Sequence, residues 1–337
     1  MRFSTLARAA GWVCAFAMMI PSPLRAATIV VPAGGSLQAA INSARAGDVI
    51  LLAAGATYSG NFTLPNAGAL TDYITIRSSA PDSQLPPSGV RMTPAYATLL
   101  PKIKSPNTSA ALKTLAGANH WQLMFLEFQA NDRGYNDIID LGMGDSTQTQ
   151  LSQVPYSLVL DRLYVHGDPV MGQKRCVALN SSDTQVLNSW ISDCKAVGQD
   201  SQALSGFNGP GNYLIENNYL EAATENFLLG GSDPMIPNLV TANVVFRGNY
   251  LSKPVAWRNP IVATPAFPSA KVAAGGGSLA AGTYCYKVAA RVTSYQGAKA
   301  NSSPTAEVSA TIASGAVAGV TISWTPVAGA TDYVVYG

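Results

Sequence analysis

The sequence has little charge and almost no histidine. Asp, Glu, Lys and Arg make up 12% of the 337 residues, the formal net charge is +2, and the two histidines are His120 and His166. Because no run of Lys or Arg is present to displace counterions from phosphate, we expect no nucleic-acid partner. The scarcity of histidine and the lack of a GxSxG motif also argue against a histidine metal cluster and a serine-hydrolase triad.

Long apolar runs are also missing, since no segment reaches the roughly 20 uninterrupted apolar residues that span a bilayer. We therefore expect no membrane span. Residues 1–27 instead have the pattern of a secretory signal: Arg2 and Arg8 are followed by a short apolar stretch and a small-residue exit. The pattern predicts a secreted protein, periplasmic or extracellular, that starts near Ala27 or Thr28.

Few cysteines remain once the signal is removed. They are Cys176, Cys194 and Cys285, an odd number in a setting that permits disulfides. Cys176 and Cys194 lie in neighbouring repeats and are either bridged or two small buried side chains. No CxxC or Cys/His pair has the spacing of a zinc site.

A repeat is the strongest feature that is present. Segments beginning at Leu158, Val186, Leu214 and Val244 each contain an apolar strand, a polar break and a second short strand. The breaks fall 27, 29 and 31 residues apart, at Asp161, Asn188, Asn217 and Gly248. A third strand per repeat begins at Asp137, Cys176, Gln202 and Asn226. Three short strands without hairpin turns predict stacked coils rather than a β-sandwich, with Asn188 and Asn217 on one ladder.

The amino-terminal part resembles a known family. Residues 31–52, which open Val31-Pro-Ala-Gly-Gly-Ser-Leu-Gln, are followed by Gly55-Ala-Thr-Tyr-Ser-Gly and Tyr73-Ile-Thr-Ile-Arg. These segments resemble the cap and first coils of the pectin-lyase-like superfamily. The resemblance covers about residues 28–258 and implies an all-β right-handed parallel β-helix with a cap helix at about residues 36–44. This architecture hosts lyases, hydrolases, epimerases and non-enzymatic surface proteins.

The last part of the sequence changes character. Residues 259–278 are rich in Pro, Ala and Gly and are interpreted as a linker, and residues 279–337 contain alternating strands that resemble a fibronectin type III module. Such a module needs about seven strands and about four are recognisable. We expect an incomplete β-sandwich inserted in a loop, with further coils of the solenoid after it.

The ionisable residues concentrate in the loops that lead into each third strand. Because coils stack about 4.8 Å apart, residues at one corner become neighbours. The resemblance to lyases of the superfamily implies a site in which acidic side chains hold calcium and a Lys or Arg is the base. In such a site Lys174 or Arg175 is catalytic and calcium is held by Asp193, Asp200, Glu221 and Glu225, at least two of them within about 8 Å of the base. The plainer interpretation is a solvated loop face with incidental ion pairs.

Three functions remain open. The first is cleavage of a uronic-acid polysaccharide by β-elimination, with His166, Gln202 and Asn226 binding the substrate. The second is glycoside hydrolysis by Asp193 and Glu221, one coil apart. The third is a non-catalytic carbohydrate-binding or surface protein. In each case the expected partner is an acidic polysaccharide and the expected state a monomer.

Overall fold

The computed structural model describes residues 26–257, 262–273, 275–293 and 299–337. Most of the predicted signal, residues 1–25, lies outside this part of the chain, as does Arg258 at the predicted end of the solenoid. Within the described residues, no helix has the length and apolar character needed to cross a bilayer.

Three parallel sheets run along the molecule and form a right-handed parallel β-helix, as predicted. The first sheet contains, in spatial order, β1 Thr28–Val31, β2 Val49–Leu52, β5 Ile74–Ser78, β8 Asn119–Met124, β11 Tyr156–Asp161, β14 Ser182–Leu187, β17 Gly211–Glu216 and β20 Ala242–Arg247. The second contains β3 Thr57–Ser59, β6 Lys102–Lys104, β9 Glu127–Gln129, β12 Tyr164–His166, β15 Trp190–Cys194, β18 Tyr219–Ala222 and β21 Tyr250–Ser252.

The third sheet contains β4 Phe62–Leu64, β7 Leu112–Thr114, β10 Asp137–Leu141, β13 Arg175–Leu179, β16 Gln202–Gly206 and β19 Glu225–Leu229. Each coil from β10 onward therefore has the three strands that the repeat predicted. Short 3-10 helices lie between strands at Asp82–Gln84, Pro94–Leu99, Leu151–Gln153 and Val255–Trp257.

The core is a column of apolar side chains inside the coils. In the second sheet the middle residue of each strand points inward, so that Phe128, Val165 and Ile191 stack with at most 1% of their surface exposed. Flanking residues face outward because side chains alternate along a strand. Each inward side chain contributes about 1.5–3 kcal/mol through burial, and the outward rows are left free for polar residues.

The helix α1, Leu37–Ser43, covers the first coil. Its N-cap is Ser36, whose hydroxyl accepts a hydrogen bond from the Ala39 N–H at 3.2 Å. Leu37, Ala40 and Ile41 are buried against the coil. The predicted cap helix is therefore confirmed within one residue at each end.

A ladder of left-handed residues forms the corner between the first and second sheets. Asn188 and Asn217 have φ of 48° and 55°, and Asn217 Nδ2 donates to Asn188 Oδ1 at 2.8 Å, which confirms the predicted ladder. The break assigned to Asp161 was one residue off. Asp161 is the last strand residue and pairs with Leu187, and the left-handed position is Arg162, with φ of 51°.

A disulfide joins two sheets. Cys176 in β13 and Cys194 in β15 are bonded, with their Cα atoms 5.9 Å apart, so the bridged alternative is the one that the structure contains. Cys285 is free and exposed.

The last coil lacks a cover among the described residues. Phe246 and Leu251 are 36% and 52% exposed, although their equivalents in the preceding coil, Ile215 and Leu220, are fully buried. The prediction of further coils after the β-sandwich is not tested by the described residues.

Small antiparallel sheets follow the solenoid. Their strands are β22 Ala266–Ala273, β23 Gly282–Thr293, β24 Lys299–Asn301, β25 Val308–Ile312, β26 Gly319–Thr325 and β27 Asp332–Tyr336. The linker prediction for residues 259–278 was wrong for β22, which pairs with β26 at Ala266 and from Ser269 to Ala273. Pro268 made this segment look irregular, but it falls at a register shift, where the sheet tolerates a missing donor.

Candidate functional site

The outer face of the third sheet carries a row of linked polar side chains. Asp137, Arg175, Gln202 and Glu225 occupy one register position on four successive coils. Arg175 Nη1 lies 3.2 Å from Asp137 Oδ1, and Arg175 Nε donates to Gln202 Oε1 at 3.2 Å. Gln202 Nε2 donates to Glu225 Oε2 at 2.9 Å. These bonds hold the Arg175 guanidinium in one orientation because planar donors match fixed acceptors.

A second row on this face contains Asp140. Its neighbours in register are Lys113 and Ala178. Burial, and then the adjacent carboxylate of Asp137, raise the pKa of Asp140 to about 8. Its Oδ1 is buried without a hydrogen-bond partner in the described structure. The raised pKa favours the protonated form of Asp140, which reduces the negative charge on this face.

Two clefts lie over this face and meet. The larger, of about 550 Å³, extends over Lys113, Asp137 and Asp140. The smaller, of about 340 Å³, extends over Asp200 and Gln202. Both are lined by the same three residues, Lys174, Arg175 and Phe207. We call the two clefts together the groove.

The outer face of the second sheet holds a different set of charges, the second-sheet cluster: Lys102, Glu127, His166, Asp193, Lys195 and Glu221. Glu127 lies at its centre, 3.1 Å from Lys102 Nζ and 3.3 Å from His166 Nε2. Burial opposes ionisation of Glu127, but hydrogen bonds from His166, Gln129 and Lys102 prevail and lower its pKa. Burial and then the charge of Glu127 raise the pKa of neighbouring Tyr164 to about 12.

The rest of the cluster is also paired internally. Glu221 Oε1 accepts the Asp193 N–H at 3.2 Å, and its Oε2 accepts the Tyr219 hydroxyl at 2.6 Å. Lys195 Nζ lies 3.6 Å from Asp193 Oδ1. Burial raises the pKa of Asp193, and the positive charge of Lys195 opposes the shift.

The structure divides the predicted catalytic strip between these two surfaces. Asp193 and Glu221 belong to the second-sheet cluster, whereas Asp200 lines the smaller cleft and Glu225 belongs to the third-sheet row. The prediction of one strip was wrong because the loop turns a corner: residues before it face the second sheet and residues after it face the third.

The proposed calcium ligands consequently do not fit one ion. Among the described residues, no group of three or more His, Cys, Asp or Glu side chains has a metal-binding arrangement. Calcium binding stays a prediction that this arrangement does not support, and no step below uses it.

The predicted substrate residues also separate. Gln202 lines the groove. His166 belongs to the second-sheet cluster, where its Nδ1 lies 2.9 Å from the Gly167 carbonyl oxygen. Asn226 requires correction, because its side chain points into the solenoid and donates to the carbonyls of Leu220 and Ser252 at 2.7 and 2.8 Å. It follows the outward Glu225 and therefore faces inward.

Sequence reasoning missed Asp137, Asp140 and Phe207. The segment Asp137-Ile-Ile-Asp-Leu was recognised as a third strand, yet its two acids were not placed beside Arg175. Aligning the third strands in register would have found them, since Asp137 and Arg175 pair directly. Phe207 gives no comparable signal, because it follows its strand in an irregular turn.

Comparisons with known proteins give little beyond this geometry. No family model and no curated protein matches the chain. Among solved structures, an alginate lyase from Paenibacillus sp. str. FPU-7 is similar, at 18% identity and a TM-score of 0.39. The alignment covers 66% of this chain and 63% of the lyase, so the chain spans less than two thirds of that protein's length. At this similarity the match supports no conclusion about activity.

Proposed function

We propose that the groove binds an acidic polysaccharide and that the chain cleaves it by β-elimination. The observation that carries the proposal is the position of Lys174 and Arg175 where the two clefts meet. A polymer that occupies both clefts places the bond between two of its sugars beside these cations. The predicted signal fits the same role, since such polymers lie outside the cell, and we propose a secreted monomer.

Elimination requires a base and a partner for the substrate carboxylate. The proton next to that carboxylate leaves only if the developing negative charge is stabilised. Arg175 supplies a fixed positive charge, and protonated Asp140 can donate a hydrogen bond to the same group. Lys174 Nζ is the proposed base that takes the proton, the carbon–carbon double bond forms, and the bond to the leaving glycosidic oxygen breaks as that oxygen takes a proton from water.

Hydrolysis is the second candidate, and the Asp137–Asp140 pair favours it. A carboxyl group whose pKa is raised to about 8 can act as the general acid that protonates the leaving oxygen. The pair replaces the earlier hypothesis of Asp193 and Glu221, whose carboxylates are engaged in the second-sheet cluster.

The test is incubation of the protein with pectate, alginate and glycosaminoglycans, each with and without a chelator. A rise in ultraviolet absorbance from the unsaturated product supports elimination, and its loss in Lys174→Ala supports the assigned base. New reducing ends without that absorbance would favour hydrolysis. Binding without turnover would make the protein a carbohydrate-binding module, and neither binding nor turnover would overturn the proposal.

A further inference from the structure

Phe207 is an aromatic residue that lies outside the packed core of the solenoid. It follows β16 and is half-buried, and among the described residues it belongs to none of the three clusters of packed apolar side chains. It lines both clefts of the groove together with Lys174 and Arg175. Core packing therefore does not explain an aromatic ring at this position.

The Phe207 ring lies against the chain at Gly144. A Cβ atom added to Gly144 would lie 2.6 Å from Phe207 Cζ, closer than real side chains approach. A larger residue at position 144 would therefore force the ring to move.

A buried polar network fixes the backbone on both sides of this contact. Asn180 Oδ1 accepts the N–H groups of Phe207 and Asn208 at 3.0 and 2.9 Å. The fully buried Asn208 side chain in turn donates to the Met143 carbonyl, next to Gly144, at 2.9 Å. The backbone of Phe207 and the segment next to Gly144 are thus preorganised, which reduces the entropy lost when a ligand binds.

We propose that Phe207 is a sugar-stacking residue that sets the position of the polysaccharide in the groove. The inference rests on the proposed function. An aromatic ring offers an apolar, weakly negative face that complements the C–H face of a pyranose, while the cations beside it complement the carboxylate. Together they select a polymer whose sugars present an acidic group on one edge and an apolar face on the other, namely a uronan.

The experiment measures KM and kcat of Phe207 variants on the polysaccharide that the wild-type protein cleaves. In Phe207→Ala we expect KM to rise about tenfold and kcat to stay within about twofold, because the stacking contact is made equally before and during the reaction. Phe207→Tyr keeps the ring and should stay near wild type. Gly144→Ala displaces the ring without removing it and should raise KM to a smaller extent.

Two controls separate stacking from folding. Phe207→Leu keeps apolar volume without a ring and should behave like the alanine variant. Phe267→Ala removes a phenylalanine that is 85% exposed in β22 and should leave KM unchanged. If the leucine variant folds and keeps the wild-type KM, the inference is wrong although the proposed function stands. If the wild-type protein neither binds nor cleaves any acidic polysaccharide, both are overturned.

Discussion

Two outer surfaces of the same solenoid carry charge in different ways. In the second-sheet cluster the carboxylates are held by ion pairs or by hydrogen bonds, and the central Glu127 side chain is only 5% exposed. In the groove Arg175 is oriented by Asp137 and Gln202, yet it still lines both clefts. The charged groups of the second-sheet cluster therefore bind one another or nearby polar groups, whereas Arg175 in the groove also faces a cavity.

The difference shows how loop charges should be interpreted in a solenoid. Residues of one repeat lie on the same coil, but residues before and after a corner of that coil face different sheets. Asp193 and Asp200 are seven residues apart in sequence and lie on different surfaces. A chemical role needs open space as well as charge, and among these loop residues that combination occurs at Lys174, Arg175 and Asp200.

The largest expected effect is the loss of activity when Arg175 in the groove is replaced. Arg175→Ala should reduce kcat/KM about 10²–10³-fold, the usual loss when a fixed group that stabilises developing charge is removed. Product absorbance measures the loss, and thermal unfolding checks that the variant is folded. Arg247→Ala is the matched control because Arg247 pairs with Glu216 and its side chain is 65% exposed outside the groove. Equal activity of the two variants would remove the groove as the site.

The second effect concerns the stability of the second-sheet cluster. Glu127→Ala leaves Lys102 and His166 without their shared partner and should lower the free energy of unfolding by about 3 kcal/mol, measured in urea. Turnover per folded molecule should not change. A loss of turnover without destabilisation would mean that the second-sheet cluster is itself a functional site.

The fold could be predicted from the sequence because every coil must satisfy the same physical constraints, and the residues that satisfy them recur along the chain. The inward rows at Val165 and Ile191, and the left-handed positions at Asn188 and Asn217, recur in successive coils. The site was harder to predict, since the sequence pattern of outward-facing charged residues is the same on the second sheet and on the third. Asn226 shows the limit: it was assigned to substrate, although alternation after Glu225 places it inside.

A smaller effect should come from the asparagine ladder at the corner between the first and second sheets. Asn217→Leu should destabilise by about 2 kcal/mol, because leucine strains a residue with φ of 55° and loses the bonds to Asn188 and Arg91. Chemical denaturation measures the change. Asn217→Gly tolerates the backbone and should lose less than the leucine variant. A leucine variant as stable as wild type would show that the ladder does not support the coils.

The prediction that sharpens the comparison most is a slope of stability with pH. Folding keeps a proton on Asp140 up to about pH 8, whereas the usual pKa of the group is 3.8. Between these values the folded state binds more protons than the unfolded state, so stability falls as pH rises, by at most about 1.4 kcal/mol for each pH unit. Asp140→Asn has no such proton, and its stability relative to wild type should grow from pH 4 to pH 8.

Glu127 should give the opposite slope. Its lowered pKa contributes stability that is present at neutral pH and is lost as pH falls through the folded value. As pH falls, the free energy of unfolding of the wild type should therefore lose its excess over that of Glu127→Gln. Over the same change of pH, the wild type should gain stability relative to Asp140→Asn. Urea unfolding of the three proteins between pH 2 and pH 8 measures both slopes, and the Glu127 slope lies below the usual pKa of 4.5. Parallel curves for Asp140→Asn and wild type would mean that the groove holds an ionised Asp140, and the hydrogen bond it is proposed to donate would be lost.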